Sequence, residues 1–227
     1  QAVLHDGSLE LPTGICDIIH PDPRRVFGYI AARFYGDPAQ NLKVVGITGT
    51  NGKTTVAALV EGVLTAGGFR VGVIGTTGAR MPGRELVSAL TTPEPASLHR
   101  LLREMVNAGC NAVVMEVSSH ALVQHRVVGI PFEVAVFTNL SRDHFDYHGG
   151  MKAYLEAKTR LFTDLKPAHA VINRDDAGGM RLKKQLPRQL PEIGFSAMGQ
   201  SALDCLSAHD LALSWNQSYF TIRGPVG

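Results

Sequence analysis

The sequence predicts a mostly parallel α/β sheet, and three observations carry that expectation. Short, near-continuous apolar runs alternate with helix-compatible stretches, which is how strands covered on both faces by crossover helices read. One run, 43–48 (KVVGIT), breaks into Gly49-Thr50-Asn51-Gly52 just before a helix-compatible run that starts at Lys53. The runs also end in polar residues, at the edge where an open parallel sheet binds its ligands.

Taken in order, residues 1–41 hold turn-rich pieces around Pro12, Gly14, Pro21 and Pro23, with one helical stretch near 24–35. Gly36-Asp37-Pro38 breaks that helix and marks the expected boundary, because proline cannot continue it. The expected division is a tail and linker over 1–42 and a central nucleotide-binding domain over 43–227. Within the second part the pattern predicts strand 43–48, helix 53–66, strand 70–75, a turn-rich excursion over 76–94, helix 95–108 and strand 111–116. Strand 133–138, helix 151–164, strand 168–172 and helix 176–185 follow. From Gly194 onward the pattern changes to strand-like pieces around 203–213 and 217–223, and the last residues, 224–227, are turn-forming.

Composition narrows the function classes. With 227 residues and 44% apolar content the chain can bury a real core. Its 22 basic and 20 acidic residues leave a formal charge of only +2, which gives no support to nucleic-acid or membrane-surface binding. Cys16, Cys110 and Cys205 are far apart and lack pairing or ligand spacing, as expected of reduced thiols in a cytosolic protein. No apolar run reaches transmembrane length, no signal-peptide pattern is present, and the start at Gln1 reads as a truncation.

The strand–glycine turn–helix at 43–66 has the layout of a phosphate-binding loop. Gly49, Thr50, Asn51 and Gly52 let backbone N–H groups face phosphate oxygens, the helix N-terminus adds a positive dipole, Lys53 neutralises β/γ charge, and the Thr54 hydroxyl can ligate Mg²⁺. The usual spacing would require glycine at Ile47, and the nearest glycines are Gly46 and Gly49, so the loop is a tighter variant.

Polar groups follow the other strands. Thr91 and Thr92 close the excursion; Glu116, Ser118, Ser119 and His120 follow the run at 111–116; Thr138, Asn139, Ser141, Arg142, Asp143 and His144 follow the run at 133–138. Glu116, closing an apolar strand, offers a hard oxygen ligand to Mg²⁺. His144 is either a further ligand or a loop cap, and Arg126, close to Gln124, either forks onto a phosphate or carboxylate or lies on the surface. In the helix MKAYLEAKTRLF at 151–162, the apolar Met151, Tyr154, Leu155, Leu161 and Phe162 surround Lys158 at helical spacing, so a cation sits on the apolar face. Such a lysine either snorkels or turns toward a site.

GITGTNGKTT at 46–55, MEVSSHALVQHRV at 115–127, FTNLSRDHFDYHG at 137–149, YLEAKTRLF at 154–162 and INRDD at 172–176 together resemble the Mur ligase family. The resemblance implies a Mur-ligase central domain, truncated at both ends, in an enzyme of bacterial cytoplasmic peptidoglycan synthesis. It implies a reaction in which ATP phosphorylates the carboxylate of UDP-N-acetylmuramoyl-dipeptide and the amine of an amino acid then displaces the phosphate. On this resemblance Gly49, Thr50, Asn51, Gly52, Lys53, Thr54 and Thr55 hold ATP, and Thr91, Thr92, Ser118, Gln124 and Arg126 hold the UDP-linked peptide. Glu116 and His144 serve Mg²⁺ with Thr54 and with Lys158 as its carbamate, and Lys53, Lys158 and His144 are the expected catalytic groups.

The expected partners are the UDP-linked dipeptide and an amino acid, with no nucleic acid and no membrane insertion, and the expected state is a monomer. By the same resemblance the segment 1–42 is the tail of the UDP-binding domain, and the adenine-side motif and amino-acid-selecting domain lie beyond Gly227. Lysine and meso-diaminopimelate both remain open as the added amino acid. Leu90 departs from the family in preceding Thr91, where a polar residue is expected. Two other readings are a sister amide ligase of the folylpolyglutamate or cyanophycin synthetase type, against which SSHALVQHR at 118–126 argues, and a nucleotide-binding fragment without turnover.

Overall fold

The computed structural model describes residues 1–199, 204–215 and 217–224. Its elements run β1 (Ala2–His5), β2 (Cys16–Ile19), α1 (Pro23–Phe34), a 3₁₀ turn (Pro38–Asn41), β3 (Lys43–Thr48), α2 (Lys53–Ala66), β4 (Val71–Gly75), β5 (Gly78–Met81), β6 (Arg84–Leu86), α3 (Pro95–Asn107) and β7 (Ala112–Glu116). They continue with α4 (Ser119–Val123), β8 (Phe132–Phe137), α5 (Phe145–His148), α6 (Met151–Thr163), β9 (His169–Asn173), α7 (Ala177–Lys183), β10 (Glu192–Ser196), β11 (Cys205–Leu213) and β12 (Ser218–Arg223).

The main sheet has ten strands in the order β12-β11-β10-β9-β8-β3-β7-β4-β5-β6. Every neighbouring pair from β11 through β4 is parallel, and β12, β5 and β6 pair antiparallel at the edges. β3 lies between β7 and β8, so its loop opens at the centre of the carboxyl edge. Its side chains alternate between two cores although residues 44–47 are all apolar. Val44 joins Val113, Met115, Ala135 and Phe137 under α3 and α6, while Val45 and Ile47 join Val114 and Val136 under α2. Gly46 is a packing glycine, since a Cβ there would stand 2.6 Å from Phe132 Cε1.

The expected strands and long helices form within a residue or two of their sequence bounds. Three features differ. The N-terminal segment, read as turns and one helix, also forms the parallel pair β1–β2, four residues each; β2 is exposed along its whole length, so it carries no buried-face pattern to read. The excursion at 76–94 contains the hairpin β5–β6, turned at Pro82-Gly83 with Gly83 at φ 75°. β10 extends the parallel sheet from Glu192; Gly194 interrupts its apolar pattern because the Arg174 side chain occupies the space a Cβ would fill. The strand-like pieces past Gly194 are β11 and β12, while Leu203 and the turn-forming Pro225, Val226 and Gly227 lie outside the described residues.

The boundary at Gly36-Asp37-Pro38 is packed. Arg103 of α3 donates to Tyr35 O at 2.9 Å and Gly36 O at 2.7 Å, and Gly28 of α1 lies close against Val128. Cys16, Cys110 and Cys205 are free thiols. Among the described residues no helix is long and apolar enough to cross a membrane.

Candidate active site

The loop after β3 needs its glycines. Gly49 has φ 151°, and a Cβ there would run into Thr138 Oγ1; Gly52 at φ 83° turns the chain into α2. Gly52 provides no side-chain cap, so the first-turn N–H groups of α2 remain available to an anion. Lys53 folds back over the loop, donating to Gly49 O at 3.0 Å and Thr50 O at 2.9 Å. Burial lowers its pKa, opposed by the negative charges of Glu116 and Asp143. Thr55 is exposed in the first turn.

Glu116 closes β7 almost fully buried, at 1% exposure. Its Oε1 accepts from Thr54 Oγ1 at 2.9 Å and Thr76 N at 3.0 Å, and its Oε2 accepts from Thr76 Oγ1 at 3.1 Å. A Cβ at Gly75 would collide with this carboxylate. Thr54 and Glu116 thus present paired hard oxygens, a donor set that suits Mg²⁺. His144, at φ 50°, lies beside Asp143 (Nε2 to Oδ2, 3.4 Å) and the His120 ring (4.9 Å between centroids). Among the described residues no group of three or more His, Cys, Asp or Glu side chains is disposed to hold a metal ion.

The residues expected to hold the acyl substrate form one connected chain. Thr91 Oγ1 meets Thr76 Oγ1 at 3.1 Å. Buried Thr92 donates from Oγ1 to Glu116 O at 2.9 Å and accepts from Ser118 N at 3.1 Å. Arg126 donates from Nη1 to Thr92 O at 2.9 Å, and from Nε and Nη2 to Gln124 Oε1 at 3.0 and 2.6 Å. Its Nη2 also pairs with Glu94 at 2.9 Å. A groove of about 560 Å³ opens beside Gln124 and Glu94, with Leu4, Ile18 and Phe27 from the N-terminal segment on its wall.

Lys158 projects from α6 at 1% exposure. Its Nζ donates to Gly49 O at 2.8 Å, the same carbonyl that accepts from Lys53, and lies 4.3 Å from the centre of the Tyr154 ring. Burial, followed by the positive charge of Lys53, lowers the Lys158 pKa from 10.5 to about 7, with Asp143 opposing. The lysine does turn toward the loop rather than snorkel, but it bonds to Gly49 and not to the Thr54–Glu116 pair.

Sequence reasoning missed Thr76 and Glu94, single polar residues in an excursion without periodicity. It noted Asn139 among the polar strand ends without a role, and it did not single out Tyr147, whose hydroxyl accepts from Gln124 Nε2 at 3.2 Å.

A parallel sheet whose central strand feeds a glycine turn and a Lys-Thr helix start, facing a buried carboxylate, is the layout of the P-loop class of α/β domains. The Mur ligase middle domain matches residues 47–224, and the chain belongs to the Mur ligase family. Among its relatives, a UDP-N-acetylmuramoyl-L-alanyl-D-glutamate--2,6-diaminopimelate ligase of Thermosynechococcus vestitus is 49% identical over 174 residues, covering 76% of this chain and 35% of that protein. The enzyme of the same name from Listeria monocytogenes is 40% identical over 225 residues, covering 96% of this chain and 45% of that protein. The chain therefore spans less than half the length of these curated relatives. A solved structure of a ligase with that name superposes with a TM-score of 0.83 at 31% identity, covering 97% of this chain and 45% of that one. A folylpolyglutamate synthase from Mycobacterium tuberculosis, solved with ADP and AMPPCP, shares the fold at TM-score 0.70 and 17% identity.

Proposed function

We propose that this chain is the nucleotide-binding part of a bacterial cytoplasmic ligase that uses ATP to join an amino acid to UDP-N-acetylmuramoyl-L-alanyl-D-glutamate, acting as a monomer. The names of the relatives favour 2,6-diaminopimelate over lysine as that amino acid. One observation carries the reading: an unbroken run of bonds from Thr54 through Glu116 and Thr92 to Arg126 joins the phosphate loop to the acyl-substrate residues at one sheet edge.

A ligase of this kind must bring a carboxylate to the terminal phosphate of ATP. The first-turn amides of α2 and Lys53 would bind the phosphates, with Lys53 leaving its own loop carbonyls to do so. Arg126, with Gln124, Ser118, Thr91 and Thr92, would orient the UDP-linked peptide so that its carboxylate attacks the γ-phosphorus and ADP departs. The amino-acid amine then attacks the acyl carbon and inorganic phosphate leaves. Mg²⁺, held by Thr54 and Glu116 with His144, would neutralise phosphate charge. Lys158, half neutral near pH 7, fits carbamate formation: its nitrogen bonds to CO₂ and a proton passes to solvent, giving an anion in place of the amine.

Calorimetric titration of the chain separates this reading from a folate-type ligase. UDP-N-acetylmuramoyl-L-alanyl-D-glutamate is expected to bind and a folylglutamate is not. Binding of the folate alone, or of neither acyl substrate, would overturn the proposal.

A further inference from the structure

The phosphate loop is tied to the segment after β8 by more bonds than its own turn requires. Thr50 N donates to Asn139 O at 2.9 Å. Asn51 N donates to Asn139 Oδ1 at 2.9 Å, and Asn139 Nδ2 donates to Asn51 O at 3.1 Å. One carboxamide thus reads both polar groups of a single residue's backbone, and this fixes which way the amide is turned, because the donor of Asn51 must face oxygen and its carbonyl must face nitrogen. Thr138 Oγ1 donates to the same Asn51 O at 2.7 Å. Ser141 N donates to Thr50 Oγ1 at 3.0 Å, and Asn51 Nδ2 reaches Ser141 Oγ at 3.2 Å.

Two of the loop amides are therefore already committed inside the protein. The amides of Thr50 and Asn51 set the loop's shape and are turned away from phosphate contact. The segment that holds them is itself held from behind. Asn173 Nδ2 donates to Thr138 O at 2.7 Å, and Asp176 Oδ1 accepts from Leu140 N at 3.2 Å while capping α7 at Gly179 N. These two anchors bracket Asn139 and give the INRDD stretch at the end of β9 a task that neither phosphate nor peptide binding explains.

We propose that Asn139 is a positioning residue that holds the phosphate loop in its nucleotide-ready shape, with Asn173 and Asp176 fixing it from behind. Asparagine fits the task because its carboxamide carries both the acceptor and the donor. Aspartate keeps the acceptor for Asn51 N but loses the donor to Asn51 O, and alanine loses both. Without the carboxamide the loop must be ordered at the expense of nucleotide binding. The consequence for affinity rests on the nucleotide reading of the loop, whereas the hold on the loop does not.

Two measurements on the 227-residue chain test the proposal together. In the wild type the amides of Thr50 and Asn51 are expected to be protected from hydrogen exchange. In Asn139→Ala the Asn51 amide exchanges faster, while Thr50, bonded to the backbone carbonyl of residue 139, keeps its protection. Calorimetric titration with Mg·ATP is expected to show Asn139→Ala weakened by about ten- to thirtyfold, the loss of two hydrogen bonds. Asn139→Asp keeps Asn51 protected and still binds Mg·ATP more weakly than wild type, so it decides the question if the alanine variant does not fold. Unchanged Asn51 exchange in a folded Asn139→Ala would overturn the proposal, as would faster exchange with wild-type nucleotide affinity. A wild-type chain that binds no Mg·ATP would overturn the nucleotide reading and the affinity consequence with it, while the exchange rates still report the hold on the loop.

Discussion

A lysine amine on the apolar face of a helix avoids an uncompensated charge by finding an acceptor or by losing its proton, and Lys158 does both. It donates to Gly49 O, and burial together with Lys53 lowers its pKa to about 7. An unfolded lysine keeps its proton to about 10.5, so between the two values the unfolded state binds more protons and the fold gains stability as pH rises. That gain is lost as pH falls from 10.5 towards 7 and levels off below it. In CO₂-free buffer the wild type is expected to gain about 1 kcal/mol per pH unit from pH 7 to 8.5 relative to Lys158→Met, read from denaturant midpoints. Parallel stability curves for the two proteins would remove the titration. Under labelled bicarbonate, a ¹³C NMR carbamate signal is expected in the wild type and absent in Lys158→Arg, and its absence in both would leave Lys158 as an amine. The position of Lys158 was legible in the sequence because helical spacing alone surrounds it with apolar residues. Its bond to Gly49 was not, since that depends on how α6 lies against β3.

At the scale of elements, β3 and its two neighbours show why pattern reading succeeds in a parallel sheet and fails at its margins. Central strands are covered on both faces, so their apolar runs stand out, and the bounds of β3 match the sequence reading. β2 is exposed along its whole length, and β10 is interrupted by a glycine that makes room for Arg174; neither has a buried run to read, whereas the exposed β12 was legible as the strand-like piece at 217–223. The same close packing gives Gly46 a cost. Gly46→Ala drives a methyl group into the Phe132 ring in the core and is expected to destabilise the chain by about 1–3 kcal/mol, measured by urea denaturation. An unchanged midpoint would mean that β3 and Phe132 have more room than their packing indicates.

Across the whole molecule, two cores hold a sheet whose carboxyl edge gathers residues from sequence positions as distant as Thr54 and Arg126. The polar strand ends were legible because open parallel sheets bind ligands there; Glu94 and Thr76 were hidden in an excursion without a period. Arg126 is pinned by Gln124, Thr92 and Glu94, so its planar fork matters as much as its charge. Arg126→Lys is expected to weaken UDP-N-acetylmuramoyl-L-alanyl-D-glutamate by about tenfold in calorimetric titration, and equal affinities would place the peptide elsewhere. The central claim is that the turn after β3 is a nucleotide site, and the most direct measurement is Mg·ATP titration of wild type and Lys53→Ala. Lys53→Ala is expected to bind about 2 kcal/mol more weakly, the scale of hydrogen bonds to a charged group. Equal affinities would contradict it.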